Sequence, residues 1–183
     1  MIESRESVAL PADGGIKDEQ TVTADGRDVK PMIDGVLLRP ATTQADGRGD
    51  VVELLSEGWG EVGGDHMPYA YAATIQPGVI KGWVCHLLQA DRITHLIGRI
   101  RWVLYDGRED SATAGVIQHV TLTERNRHLI VVPAGVWHAA QNVGTQEAMF
   151  VNLPTRAYDH ADPDKHRLPW DTTEIPFRFD RPR

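Results

Sequence analysis

Two histidine-bearing stretches have the residue types and spacing for proton-transfer chemistry. The first is Gly82-Trp83-Val84-Cys85-His86. Side chains alternate across a regular strand, so Val84 and His86 share one face and Cys85 takes the other. An inward His86 is a candidate base, because an unperturbed imidazole titrates at about pH 6.5 and both accepts and returns a proton near neutrality. The plainer reading is a wall imidazole that only hydrogen-bonds. The second stretch is Pro133-Ala134-Gly135-Val136-Trp137-His138-Ala139-Ala140-Gln141-Asn142. A Pro-x-Gly turn opens a strand there, and alternation puts Val136, His138, Ala140 and Asn142 on one face, with His138 aimed inward. Cys85, on the opposite face from His86, reads as a small hydrophobe. His95, inside an apolar run, reads as a structural histidine.

The elements that position these residues are strands. From Pro31 onward, short apolar runs are broken by Gly, Pro and Asp at intervals of roughly 8–12 residues, the spacing of an all-β sandwich or barrel. Strands are expected at residues 36–38, 51–55, 70–75, 83–88, 94–105, 116–121, 128–132, 135–142 and 148–153. Helical signal is poor. Residues 1–30 are rich in Asp, Glu, Gly and Lys and poor in large apolar side chains, and they read as a flexible arm. Residues 160–183 carry Pro163, Pro169, Pro176 and Pro182 and read as an extended, partly helical tail, pinned by Trp170, Ile175 and Phe177. The remaining 31–183 form one domain, since 183 residues suffice for a single core.

Composition excludes several function classes. Lys and Arg number 19 against 26 Asp and Glu, a net charge of −7, so no global positive field exists to hold a nucleic acid or an anionic membrane. The single cysteine gives neither a disulfide framework nor a cysteine-based zinc site, which fits a reducing, cytoplasmic setting. The N-terminal residues lack the layout of a signal peptide, and no run reaches the roughly 18 apolar residues of a membrane helix.

The 133–142 stretch resembles the second cupin motif, PxGxxHxxxN. Upstream, Gly82 to His86, then Asp91 and Gly98, resembles the first cupin motif, with Val84 in place of its first histidine. The cupin resemblance puts His86, Asp91 and His138 at three of four metal-ligand positions. Two histidines and a carboxylate with open sites suit Fe(II) or Mn(II).

A more specific resemblance spans residues 33–179. Asp46-Gly47-Arg48-Gly49 followed by Glu53 is similar to the DxRGxxxE opening of the dTDP-4-dehydrorhamnose 3,5-epimerase family, a cupin family. Lys81-Gly82-Trp83 resembles its RGxH segment, residues 106–115 its DxRxxSPTxG signature, residues 133–138 its PxGxxH strand, and Trp170-Asp171 its C-terminal WxD segment. The resemblance implies an antiparallel jelly-roll barrel and a homodimer that takes a thymidine diphosphate sugar without a cofactor. It implies Arg48, Glu53, Lys81 and Asn152 as substrate-binding positions and Asp171 as the acid that orients the base. It also marks departures: Val84 stands at the base position, Asp91 where a lysine belongs and Asn152 where a tyrosine belongs. The expected function is therefore a nucleotide-diphosphate-sugar epimerase or isomerase acting on a 4-keto sugar. His86 would be its base, His138 and Asp171 its supporting groups, and His138 or Arg92 the enolate donor. A metal-dependent cupin enzyme and a non-catalytic sugar-nucleotide binder are the alternatives.

Overall fold

A computed structural model describes residues 18–26, 29–63 and 67–180. The chain divides into two compact units, 1–30 and 31–183. In the first, the amides of Gly26 and Val29 donate to the carbonyls of Thr23 (2.9 Å) and Thr21 (3.1 Å), forming a small turn. Most of the arm expected over 1–30 lies outside the described residues.

The second unit is built from two five-stranded antiparallel sheets. The first has the order β1 (Leu37–Pro40), β9 (His128–Val132), β6 (Asp91–Ile97), β11 (Ala148–Asn152), β4 (Tyr71–Ile75). The second has the order β12 (His166–Arg167), β5 (Ile80–Cys85), β10 (Val136–Asn142), β7 (Ile100–Asp106), β8 (Ile117–Leu122). A separate hairpin pairs β2 (Thr43–Asp46) with β3 (Gly49–Val52), and a 3-10 helix covers Glu57–Val62. The all-β architecture expected from strand spacing, and the antiparallel jelly roll that the family resemblance implies, are observed.

Alternation explains the layering. Ile93, Ile130, Val132 and Phe150 from the first sheet meet Trp102, Leu104, Leu122 and Ala140 from the second in one core. Trp102 and Phe150 make an edge-to-face contact between the sheets at 5.0 Å. The outer face of the second sheet carries a smaller core of Trp83, Val103 and Ala139, closed by Ile175 and Phe179 from the C-terminal segment. Ile175 and the partly buried Phe177 pin that segment as expected, whereas Trp170 remains exposed.

Two expectations need correction. Residues 94–105 are not one strand: β6 ends at Ile97, β7 begins at Ile100, and Gly98 turns the chain with φ +86°. A Cβ at Gly98 would also sit 2.6 Å from that of Ala148, so only glycine fits this turn. The tail, in turn, contributes a sheet strand, β12, whose His166 and Arg167 pair with Cys85 and Val84 of β5.

Candidate functional site

His86 follows β5, Asp91 opens β6, and His138 lies within β10, so two sheets bring these side chains together. His138 faces Val84 in the β10–β5 register. The ladder shifts register between His138 and Ala140, near Gly82, but Val84 and His86 still line the same cavity and Trp83 and Cys85 are buried on the other face. The parity read from the sequence holds. Burial raises the Cys85 thiol to about 11, so it is protonated and unreactive at neutral pH.

The centre is a buried triangle. The Nε2 atoms of His86 and His138 each lie 3.4 Å from Oδ2 of Asp91, and the two rings are 5.8 Å apart. The other ring nitrogen of His86 meets the Asp164 carbonyl, and that of His138 meets the Val136 carbonyl at 3.3 Å. A carbonyl only accepts, so each Nδ1 carries a proton; the ionised Asp91 carboxylate also only accepts, so an imidazole that donates to it from Nε2 as well is in the charged form. Asp164 also caps the loop after His86, accepting from the amides of Leu87 and Leu88 at 2.8 Å each. Gln89 donates to Oδ1 of Asp91 at 3.1 Å.

Burial would push the Asp91 carboxyl up, but hydrogen bonds from His138 and His86 outweigh it and hold the group well below the usual carboxylate range. Burial likewise works against a charged His86. The hydrogen bond and charge of Asp91, helped by Asp164, outweigh it and raise His86 above its ordinary value.

The triangle stands in the wall of a cavity of about 460 Å³ that also presents Lys81, Asn152, Tyr71, Lys165 and Arg167. Of the site residues expected from sequence, His86, His138, Lys81 and Asn152 thus converge, with Asp91. Four do not. Asp171 is exposed and absent from the cavity lining, and the acid that faces His86 is Asp91. Arg92 is buried on the face opposite Asp91, where its guanidinium donates to the carbonyls of Leu153 (2.8 Å), Gly63 and Pro154 (3.4 Å). Arg48 lies in the β2–β3 turn, 90% exposed, its Nε 3.1 Å from Asp46, and Glu53 is exposed just beyond that hairpin. His95 is structural as expected: fully buried, with Nε2 3.1 Å from the Gly98 carbonyl and held neutral by burial, which lowers it to about 4.

Sequence reasoning missed Asp164, Lys165 and Arg167, because β12 is two residues long and has no local signature. Tyr71 is a further lining residue not singled out from the sequence. Period two along Tyr71, Ala73 and Ile75 could have placed it on the inner face.

A sequence profile of the dTDP-4-dehydrorhamnose 3,5-epimerase family matches residues 30–181. This chain belongs to that family. Among its relatives, the probable low-salt glycan biosynthesis epimerase of Haloferax volcanii is 36% identical over 144 residues, covering 77% of this chain and 90% of the relative. The spore coat polysaccharide biosynthesis protein SpsL of Bacillus subtilis is 33% identical over 148 residues, covering 81% and 97%. A crystal structure of a dTDP sugar isomerase from Desulfovibrio desulfuricans superimposes with a TM-score of 0.74 at 27% identity, covering 80% of this chain and 91% of that one. The chain is thus a member of a sugar epimerase and isomerase family, as its five motif islands imply. No helix among the described residues is long and apolar enough to cross a membrane.

Within this epimerase family, the 106–115 signature acts here as a clasp. Asp106 accepts from Arg108 (2.8 and 2.9 Å), Ser111 (2.6 Å) and Thr113 (2.7 Å), and Arg108 reaches on to the Asp34 carbonyl at 2.7 Å.

Proposed function

We propose that the cavity takes a 4-keto sugar carried on a nucleoside diphosphate and that His86 moves the proton alpha to the ketone. The observation that carries this reading is the fixed imidazole: its Nδ1–H is spent on the Asp164 carbonyl, its Nε2 faces Asp91, and it shares a wall with Val84, which cannot transfer a proton. In the uncharged ring Nε2 carries the lone pair that takes the proton, the C–H electrons pass into an enolate, and return of a proton to carbon restores the ketone. Asp91 and His138 position His86 and stabilise its imidazolium. Asp91 is anionic and cannot stabilise an enolate, and both ring nitrogens of His138 are turned to Val136 and Asp91, so that role falls to the cations of the lining, Lys81, Lys165 and Arg167.

The cavity size suits a hexose, and an adjoining chamber of about 270 Å³ shares Tyr71, His86 and Lys165 with it. Tyr69 and Tyr158 stack there at 6.2 Å beside Arg156, which supports a site for the nucleoside and its diphosphate. A two-fold homodimer is part of the reading, because β1 is an edge strand and open edges invite pairing. Sedimentation as a monomer at micromolar concentration would contradict it.

The test of the chemistry is solvent deuterium uptake by dTDP-4-keto-6-deoxyglucose. Wild-type protein should label the carbons alpha to the ketone, and His86→Ala should label them about 10²–10⁴-fold more slowly. Equal rates would reject His86 as the base. Binding of the nucleotide sugar without any labelling would favour a non-catalytic binder. A second reading rests on the triangle itself, since one ligand atom from each of His86, Asp91 and His138 lies within 4.8 Å of the others. Two imidazoles and a carboxylate suit Fe(II) or Mn(II), which would polarise a substrate oxygen when bound. Labelling that survives a chelator supports proton transfer without metal, while loss by chelation and recovery with either ion supports the metal reading.

A further inference from the structure

A buried carboxylate and three cations share the lining of the main cavity: Asp91 with Lys81, Lys165 and Arg167. An enolate formed there sets a second negative charge near Asp91, in surroundings that screen charge weakly. A route that puts no negative charge on the substrate avoids that repulsion. A primary amine that condenses with the ketone supplies one, because the electrons released at the alpha carbon then neutralise an iminium instead of charging an oxygen.

Lys165 is the amine that the fold sets beside the base. β12 pairs with β5 through His166–Cys85 and Arg167–Val84, so the next step along the ladder brings Lys165 alongside His86. The peptide that joins Asp164 to Lys165 is the one whose carbonyl accepts from Nδ1 of His86. Lys165 and His86 both line the main cavity and the adjoining chamber. Among the described residues the Lys165 amine has no hydrogen-bond or ion-pair partner. Burial lowers it below its ordinary value and the Arg167 charge adds to this, while Asp91 opposes them. A lysine that is desolvated and crowded by a second cation is suited to condense with a carbonyl. Arg167 is not, since a guanidinium keeps its proton, and Lys81 is exposed and lines the main cavity alone.

We infer that Lys165 is a catalytic nucleophile that holds the 4-keto sugar as a Schiff base while His86 moves the alpha proton. The inference rests on the reading of His86 as the base of a 4-keto sugar. The Nζ lone pair adds to the carbonyl carbon, proton transfers turn the carbonyl oxygen into water, and its departure leaves an iminium. His86 takes the alpha proton, the C–H electrons form the C=C bond of a neutral enamine, and the C=N π electrons come to rest on nitrogen. A proton returned to carbon rebuilds the iminium, and water hydrolyses it to the ketone and the free amine. Asp91 then assists the step it would otherwise oppose, because the charge formed in its cavity is positive.

The experiment traps the intermediate. Wild-type protein is incubated with dTDP-4-keto-6-deoxyglucose and cyanoborohydride, which reduces an iminium and spares a ketone. It should gain the mass of one reduced sugar nucleotide, on the peptide that carries Lys165. Lys165→Arg keeps the charge but forms no imine, so it should trap nothing there and label the alpha carbons about 10²–10³-fold more slowly than wild type. Lys165→Met is a second variant with the same expectation, and a cooperative melt shows that each is folded. His86→Ala should still trap the adduct while labelling slowly. Labelling by wild type with no adduct on Lys165 overturns the inference and leaves His86 as the base. Labelling by folded Lys165→Arg within about threefold of wild type overturns it too, since charge alone would then suffice. An adduct on Lys165 with labelling that survives His86→Ala overturns the assignment of His86 and keeps the imine, so the two failures are distinct. Neither label nor adduct in wild type overturns both.

Discussion

The molecule buries two aspartates at strand ends, Asp106 at the end of β7 and Asp91 at the start of β6, 1% and 3% exposed. Both carboxyls are held well below their ordinary range by hydrogen bonds that outweigh burial. Their partners differ. Asp106 is met by a guanidinium and two hydroxyls, none of which changes charge across the physiological range. Asp91 is met by two imidazoles, of which it raises His86 above its ordinary value, and it faces a cavity. A buried carboxylate closed in by permanent donors staples a loop. One that faces titratable donors and open space sets their protonation, and that is how a scaffold becomes a site.

The largest expected effect separates the two by opposite readouts. Asp91→Asn should slow alpha-carbon labelling at least about 10²-fold, since His86 loses the group that positions it. Its cost in stability should be small, because His86 can discharge once the carboxylate is gone. Asp106→Asn should do the reverse. Arg108 cannot discharge, so the variant leaves a partly buried cation without its counter-ion, costing about 3 kcal/mol and lowering Tm by about 6–12 °C. Labelling per folded molecule should stay within about twofold of wild type. If Asp91→Asn proves the less stable variant, or Asp106→Asn the less active folded enzyme, the contrast between staple and site fails.

Much of this contrast could be read in the sequence, and the limits have physical causes. Period two placed Val84, His86 and His138 on inner faces because their strands are regular where it matters. Residues 106–115 stood out by their resemblance to a family signature, yet nothing local says that Asp106 is saturated by its own loop. Asp91 was read as a replaced lysine or a ligand, because its function depends on two imidazoles 5 and 47 positions away. Asp171 and Arg92 carried family or chemical expectations that geometry redirects, one into solvent and the other onto backbone carbonyls. The break at Gly98 was hidden by Ile97 and Ile100, which keep the run apolar across the turn. Lys165 and Arg167 were invisible because a two-residue strand leaves no period to detect.

The smallest expected effect is in pH dependence, and its sign follows from the same contrast. His86 is raised above its ordinary value despite burial, chiefly by Asp91. The folded state thus binds its proton more tightly than the unfolded chain does. That stability is fully present below about pH 6.5 and is lost as pH rises through the folded value. Asp91, depressed against burial by His138 and His86, contributes stability present above about pH 3.9 and lost as pH falls toward its folded value. His95 acts in the opposite sense to His86: burial lowers it to about 4, so the fold is penalised as pH falls from about 6.5. Comparing wild type with Asp91→Asn cancels His95, which both retain. The Tm difference between them, in favour of wild type, should be a few degrees and greatest from about pH 4 to 6.5, and should shrink above neutrality. Labelling should follow the same group, rising with pH through the raised His86 value as the base is freed. In Asp91→Asn the residual rate should rise at lower pH, because burial then acts on His86 without the carboxylate opposing it. A Tm difference that is flat from pH 5 to 9 in differential scanning calorimetry, or a rate profile that does not move, would put Asp91 in the same class as Asp106.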